Sequence, residues 1–144
     1  MGVYYRYKKD PEGFRKLVEL LESTPMSRRQ RMIDVGMQED PRYTENALQY
    51  VLNFQDVIDL PDLELAEVLA ATPARFVGLA IHAASDEIKK RFLSKSQPKA
   101  VPEIKEVLET TNVTKLEIGA GQMKLISSTR LMERRGYVKT KHIP

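Results

Sequence analysis

The sequence predicts an all-α chain of about eight short helices in two small lobes. Three observations lead there. Apolar side chains recur at i, i+3 and i+4. Proline and capping residues divide the chain at short intervals. No strand-period alternation runs longer than four residues.

The elements are taken in chain order. Asp10-Pro11 pairs an N-cap with a proline suited to the first helical position. Phe14, Leu17, Val18 and Leu21 then repeat at helical spacing. Thr24-Pro25 ends that helix and opens "MSRRQRMIDVGM", with Met32 and Ile33 expected inward. Asp40-Pro41 opens a third helix that ends in Leu48, Val51 and Leu52. Pro61-Asp62 and Thr72-Pro73 open "LELAEVLAAT" and "ARFVGLAIHAA". Ser85-Asp86-Glu87 caps "EIKKRFL", where Ile88 and Phe92 lie one turn apart. "PEIKEVLET" places Ile104, Val107 and Leu108 on one face. Pro102 lacks an N–H and fits only a first turn, so this helix is expected to begin near Val101. The last helix is expected from about Lys115 to Arg135, with Gly136 closing it. Connections this short suit antiparallel neighbours. The expected organisation is an N-terminal arm (1–9) that frays, a three-helix lobe (10–52), a joint (53–60) and a second helical lobe (61–144).

Composition narrows the function. An apolar fraction of 42% supports a core, and a net charge of +3 is too small to argue for nucleic acid. The charge is uneven. Residues 39–69 hold Glu39, Asp40, Glu45, Asp56, Asp59, Asp62, Glu64 and Glu67 against Arg42. The end holds Arg130, Arg134, Arg135, Lys139 and Lys141 against Glu133. An acidic middle with a basic end suits protein partners, head-to-tail self-association or simply two solvated faces. With no cysteine, disulfides and thiolate chemistry are excluded. No apolar run approaches the ~20 residues of a membrane span, so direct insertion is not expected. "MGVYYRYKK" lacks the apolar core of a secretory signal.

Motifs for catalysis are missing. His82 and His142 are the two histidines, and neither has metal-ligand spacing with an acid, so no zinc site is expected. "GAGQ" (Gly119–Gln122) lacks a preceding strand and the spacing of a dinucleotide loop. Neither a nucleophile elbow nor a phosphate-binding loop occurs. The expectation is a non-enzyme without a cofactor. "MSRRQRM" and "RLMERRGYVKTKH" are basic, but the turn glycine and polar base readers of a helix-turn-helix are absent, so a nucleic-acid module is only a third reading.

Read in order from Phe14 to Gly136, the segments resemble the C-terminal part of the flagellar motor switch protein FliG. The resemblance is carried by "EDPRYTENALQYVLNF", "LPDLELAEVLA", "LAIHAASDEIKKRFL" and "QMKLISSTRLMERRG". It implies an armadillo-like three-helix lobe joined to a six-helix lobe. Val51, Leu52, Asn53 and Phe54 fall on the family's "MFxF" joint, where only Phe54 keeps its type. The resemblance implies that this joint is a hinge. It also implies that Leu17, Leu21, Met32 and Ile33 stack on another armadillo-like lobe. The second lobe would turn a charged helix toward the cytoplasmic loop of a stator. The family's basic places fall on His82, Lys99 and Lys115, and its acidic pair on Glu106 and Val107; Lys105 adds to the same face. One acid has become Val107, whose place beside Ile104 and Leu108 predicts burial, and His82 is mostly neutral at pH 7.

The implied partners are other motor-switch proteins and the stator, in the cytoplasm at the inner face of the membrane. The second reading is an adaptor or scaffold of the same fold without torque duty. A regulatory domain like those preceding some magnesium transporters is a related reading, disfavoured by the lack of an acidic metal-sensing cluster. The family's N-terminal and middle lobes have no counterpart in the sequence, which reads either as part of a longer protein or as a short relative.

Overall fold

Helical periodicity and proline punctuation produce ten helices among the described residues. A computed structural model describes residues 3–144, with Val3 described by its backbone alone. The helices are α1 (Val3–Lys9), α2 (Gly13–Ser23), α3 (Met26–Glu39), α4 (Pro41–Tyr50) and α5 (Phe54–Ile58). They continue with α6 (Asp62–Ala70), α7 (Ala74–Ile81), α8 (Asp86–Lys95), α9 (Val101–Glu109) and α10 (Lys115–Arg134). Two compact units result. The first runs to Leu52 and takes in Lys141–Pro144; the second is Asn53–Thr140.

The first unit is built on Tyr4, Leu17, Val18, Leu21, Ala47 and Ile143. Phe14 lies edge-on to Tyr43 at 5.7 Å and to Tyr50 at 5.6 Å, which ties α2 to α4. Residues 3–9, expected as a fraying arm, form α1 instead. Tyr4 is 3% exposed and its hydroxyl donates to the Met32 carbonyl at 2.6 Å, so burial of one aromatic ring holds the helix down. Met1 and Gly2 lie outside the described residues. Asp10-Pro11 also differs from expectation. It forms a turn in which the Asp10 carboxylate accepts from Glu12 N–H at 2.9 Å, and α2 starts at Gly13.

In the second unit α7 packs against both α9 and α10, and α10 also touches α5 and α6. Two glycines allow that closeness. A Cβ on Gly78 would lie 2.7 Å from Val107 Cβ, and one on Gly121 would lie 2.6 Å from the Ala80 nitrogen. Of the two glycines in "GAGQ", inside α10, Gly121 is thus a close-packing position, while a Cβ on Gly119 would meet nothing within 4 Å. Arg91 of α8 donates to the carbonyls of Ile58 and Leu60 and to Asp62 at 3.0 Å, stapling the α5–α6 connection. Inside α10, Arg130 and Glu133 form a buried ion pair at 3.0 Å. Gly136, at φ +86°, ends the helix in the left-handed conformation that glycine adopts without strain.

The expected segment 53–60 is not a bare connection, because it contains α5. The expected lobe 61–144 also loses its last four residues to the first unit, because Ile143 is buried there.

Candidate functional site: the joint and the charged face of α9

The residues of the joint divide between the units. Val51 follows α4, and Leu52 is fully buried in the first unit. The N–H of Leu52 donates to Glu22 Oε2 at 2.8 Å. Glu22 is itself 4% exposed, one turn along from Val18 on α2. Beside it, Arg29 donates to the Glu22 carbonyl at 3.0 Å. Burial lowers the Arg29 pKa from its usual value, and the Glu22 charge opposes that shift. Asn53 and Phe54 open the second unit. Asn53 Oδ1 accepts from Asp56 N–H at 2.9 Å, and Asp56 Oδ2 accepts from Asn53 N–H at 2.8 Å. This capping box starts a helix of five residues. Phe54 lies against the fully buried Phe92, with ring centroids 6.4 Å apart.

Helix α9 is placed by its apolar face. Ile104 is fully buried and Val107 is 8% exposed, the latter against Gly78 of α7. Pro102 sits in the first turn, so the helix begins at Val101 and Lys99 precedes it. The same periodicity leaves Lys105 and Glu106 in solvent. Lys115 is exposed as the first residue of α10. Among the described residues, Lys99, Lys105, Glu106 and Lys115 have no side-chain hydrogen bond and no ion pair. The link from α9 to α10 is held at both ends. His82 Nε2 donates to the Thr110 carbonyl at 2.6 Å, so this imidazole braces the end of α9. Thr114 and Glu117 form a capping box, with both N–H···O bonds at 3.1 Å. The Thr114 backbone N–H first and then the Thr114 hydroxyl, both donating to Glu117 Oε1 at 3.1 Å, hold the Glu117 carboxyl below the usual carboxylate range.

Several expected site residues are thereby reassigned. Leu17 and Leu21 cannot meet a neighbouring lobe, because both are fully buried in their own core. Met32 and Ile33 are partly buried against the same core. The apolar side chains exposed on α2 and α3 are Leu20, Met26, Val35 and Met37. Helical period alone did not separate the two faces, since both carry Leu or Met. Sequence reasoning also missed Arg75, which lies 3.8 Å from Glu117 at the start of α10. It missed Glu22, whose one signal was a carboxylate directly after a core leucine. Among the described residues no three acids or histidines gather as metal ligands, and no helix is long and apolar enough to cross a membrane.

The fold and this surface define an all-α helical scaffold that carries a braced helix with exposed charges. The FliG C-terminal domain model matches residues 37–139, and the chain belongs to that family. It is 24% identical over 127 residues to the flagellar motor switch protein FliG of Thermotoga maritima, covering 88% of this chain and 38% of that protein. It is 27% identical over 129 residues to FliG of Aquifex aeolicus, covering 89% of this chain and 39% of the relative. The chain therefore spans well under half the length of these relatives. Among solved structures, FliG residues 86–343 from H. pylori superpose with a TM-score of 0.64 at 16% identity, covering 91% of this chain and 62% of that one. Full-length FliG from Aquifex aeolicus gives 0.55 at 27% identity, covering 88% and 40%.

Proposed function

We propose that the chain is a non-enzymatic, structural component of a flagellar motor switch that works by protein–protein contact. Its second unit offers α9 and the start of α10 to a charged partner, the cytoplasmic loop of a stator. The observation that carries this reading is the set Lys99, Lys105, Glu106 and Lys115. All four are exposed and, among the described residues, uncommitted, on or beside a helix braced at its end by His82. Exposed ion pairs contribute only ~0–1 kcal/mol each, so contacts of this kind form and break quickly and suit a stepping interface. The site is cytoplasmic in this reading, at the inner face of the membrane, with other switch proteins as neighbours of the first unit. Stacking there would use Leu20, Met26, Val35 and Met37.

The test is Glu106→Lys in the motile parent organism. Swimming should fall while the domain stays folded and filaments are still made. Normal swimming with normal filaments would remove the torque reading.

A second reading is an adaptor that keeps the fold without torque duty. Two observations favour it. Val107, at the second acidic position, is buried against α7, and His82 is committed to the Thr110 carbonyl. Deleting the gene separates the two readings: absent or paralysed filaments support the motor role, and normal swimming supports the adaptor.

A further inference from the structure

The peptide group between Val51 and Leu52 is held from both ends. Its N–H donates to the buried Glu22 carboxylate at 2.8 Å. Its carbonyl accepts from Lys141 Nζ at 3.0 Å. Both bonds are charge-assisted, one to an anion and one from a cation, and two such partners on one peptide polarise it in the same sense. The next residue, Asn53, belongs to the second unit. The gripped peptide is thus the last one inside the first unit.

Lys141 is held there by its C-terminal neighbours. Ile143 is 2% exposed in the core of the first unit, and its carbonyl accepts from Arg15 at 3.4 Å. Lys141 takes φ +49°, a left-handed conformation that a lysine adopts only when its surroundings impose it. Upstream, Val138 is 2% exposed and Lys139 N–H donates to Glu64 at 3.0 Å, both within the second unit. The chain therefore passes between the units twice, at 52/53 and at 140/141. Neither Glu22 nor Lys141–Ile143 lies within the residues matched to the family domain.

We propose that Lys141–Ile143 is a clasp on the joint. Ile143 is its plug and Lys141 its tie, and the freedom of the Val51–Leu52 peptide depends on whether the clasp is seated. With the clasp seated, backbone rotation at the joint begins only beyond this peptide. With it released, the peptide loses its cation and keeps only Glu22. The clasp is independent of the motor reading, since every contact it uses lies within one unit.

The experiment is amide hydrogen exchange by NMR on the full chain, reading Leu52, with Val18 and Leu21 of α2 as references for the whole unit. Lys141→Met removes the tie and leaves the plug. Exchange at Leu52 should rise about two- to tenfold, the worth of one hydrogen bond, while the references stay unchanged. Ile143→Asp unseats the plug and should raise Leu52 exchange further. If that variant loosens the whole unit, Lys141→Met alone decides. An unchanged Leu52 rate in Lys141→Met, or a rise matched by Val18 and Leu21, would overturn the clasp.

Discussion

The joint and the exposed face of α9 are both short, charged stretches, and they are opposites. At the joint the charged and polar groups are occupied. Glu22 and Lys141 hold one peptide, and Asn53 and Asp56 cap each other. On α9, the Lys105 and Glu106 side chains have no partner among the described residues, while Ile104 and Val107 fix the backbone beneath them. One chain thus uses charge for two ends. A carboxylate out of water must be satisfied, and it then fixes geometry. A carboxylate in water stabilises little, and it remains available to another molecule.

Substitutions can break that contrast, and the largest effect is expected where charge is deepest. Glu133→Ala would leave the buried Arg130 without the carboxylate 3.0 Å away. The expected loss is ~3–5 kcal/mol, read as a lower urea midpoint for the second unit. A loss below about 1 kcal/mol would mean that the other contacts of Arg130 suffice alone. Gly78→Ala should cost ~1–3 kcal/mol, because the new methyl meets Val107 and pushes α9 outward. Calorimetry measures the loss, and shifted amide resonances in α9 would locate it. Asn53→Ala removes one half of a capping box and should cost about 1 kcal/mol, with faster exchange confined to α5.

Two smaller effects sharpen the surface side. The Asp62 carboxyl is held below its usual value by hydrogen bonding to Arg91 and then by the charge of Lys95. Its folded pKa is depressed, so its contribution is present above the unfolded value near 3.8 and is lost as pH falls through the folded one. Arg91→Met should therefore flatten the acid side of the stability curve in that window, beyond a pH-independent loss of its carbonyl contacts. An acid slope equal to that of the parent protein would count against the pair. Smallest of all, Glu106→Lys should change stability by no more than about 0.5 kcal/mol. A larger change would mean that Glu106 belongs with the committed charges.

Much of the fold was legible because its signals are local. Pro102 marked the start of α9 near Val101, and Gly136 marked the end of α10, since a missing N–H and a left-handed φ act on the residue itself. Val107 read as buried from its spacing to Ile104, and it is. The ordered segments that resemble FliG were legible for the same reason, as helices written in register. The site was less so. The sequence marked Lys99, Lys105, Glu106 and Lys115 as charges on or beside a helix surface, but their lack of partners among the described residues depends on what the rest of the chain places nearby. The resemblance put His82, mostly neutral at pH 7, at a basic place of the family, and nothing local in the sequence showed that Thr110, distant in sequence, brings a carbonyl to its ring.

Periodicity, caps and the order of short motifs were enough to set an all-α chain, most of its helix limits and its family. Only packing in three dimensions settled that Tyr4 and Ile143 share a core with α2, that Leu17 and Leu21 are buried in it, and that Glu22 and Lys141 meet at one peptide. Helical period tells which side chains share a face. Which face finds a partner, and which remote residue supplies it, depends on close packing between segments far apart in the chain.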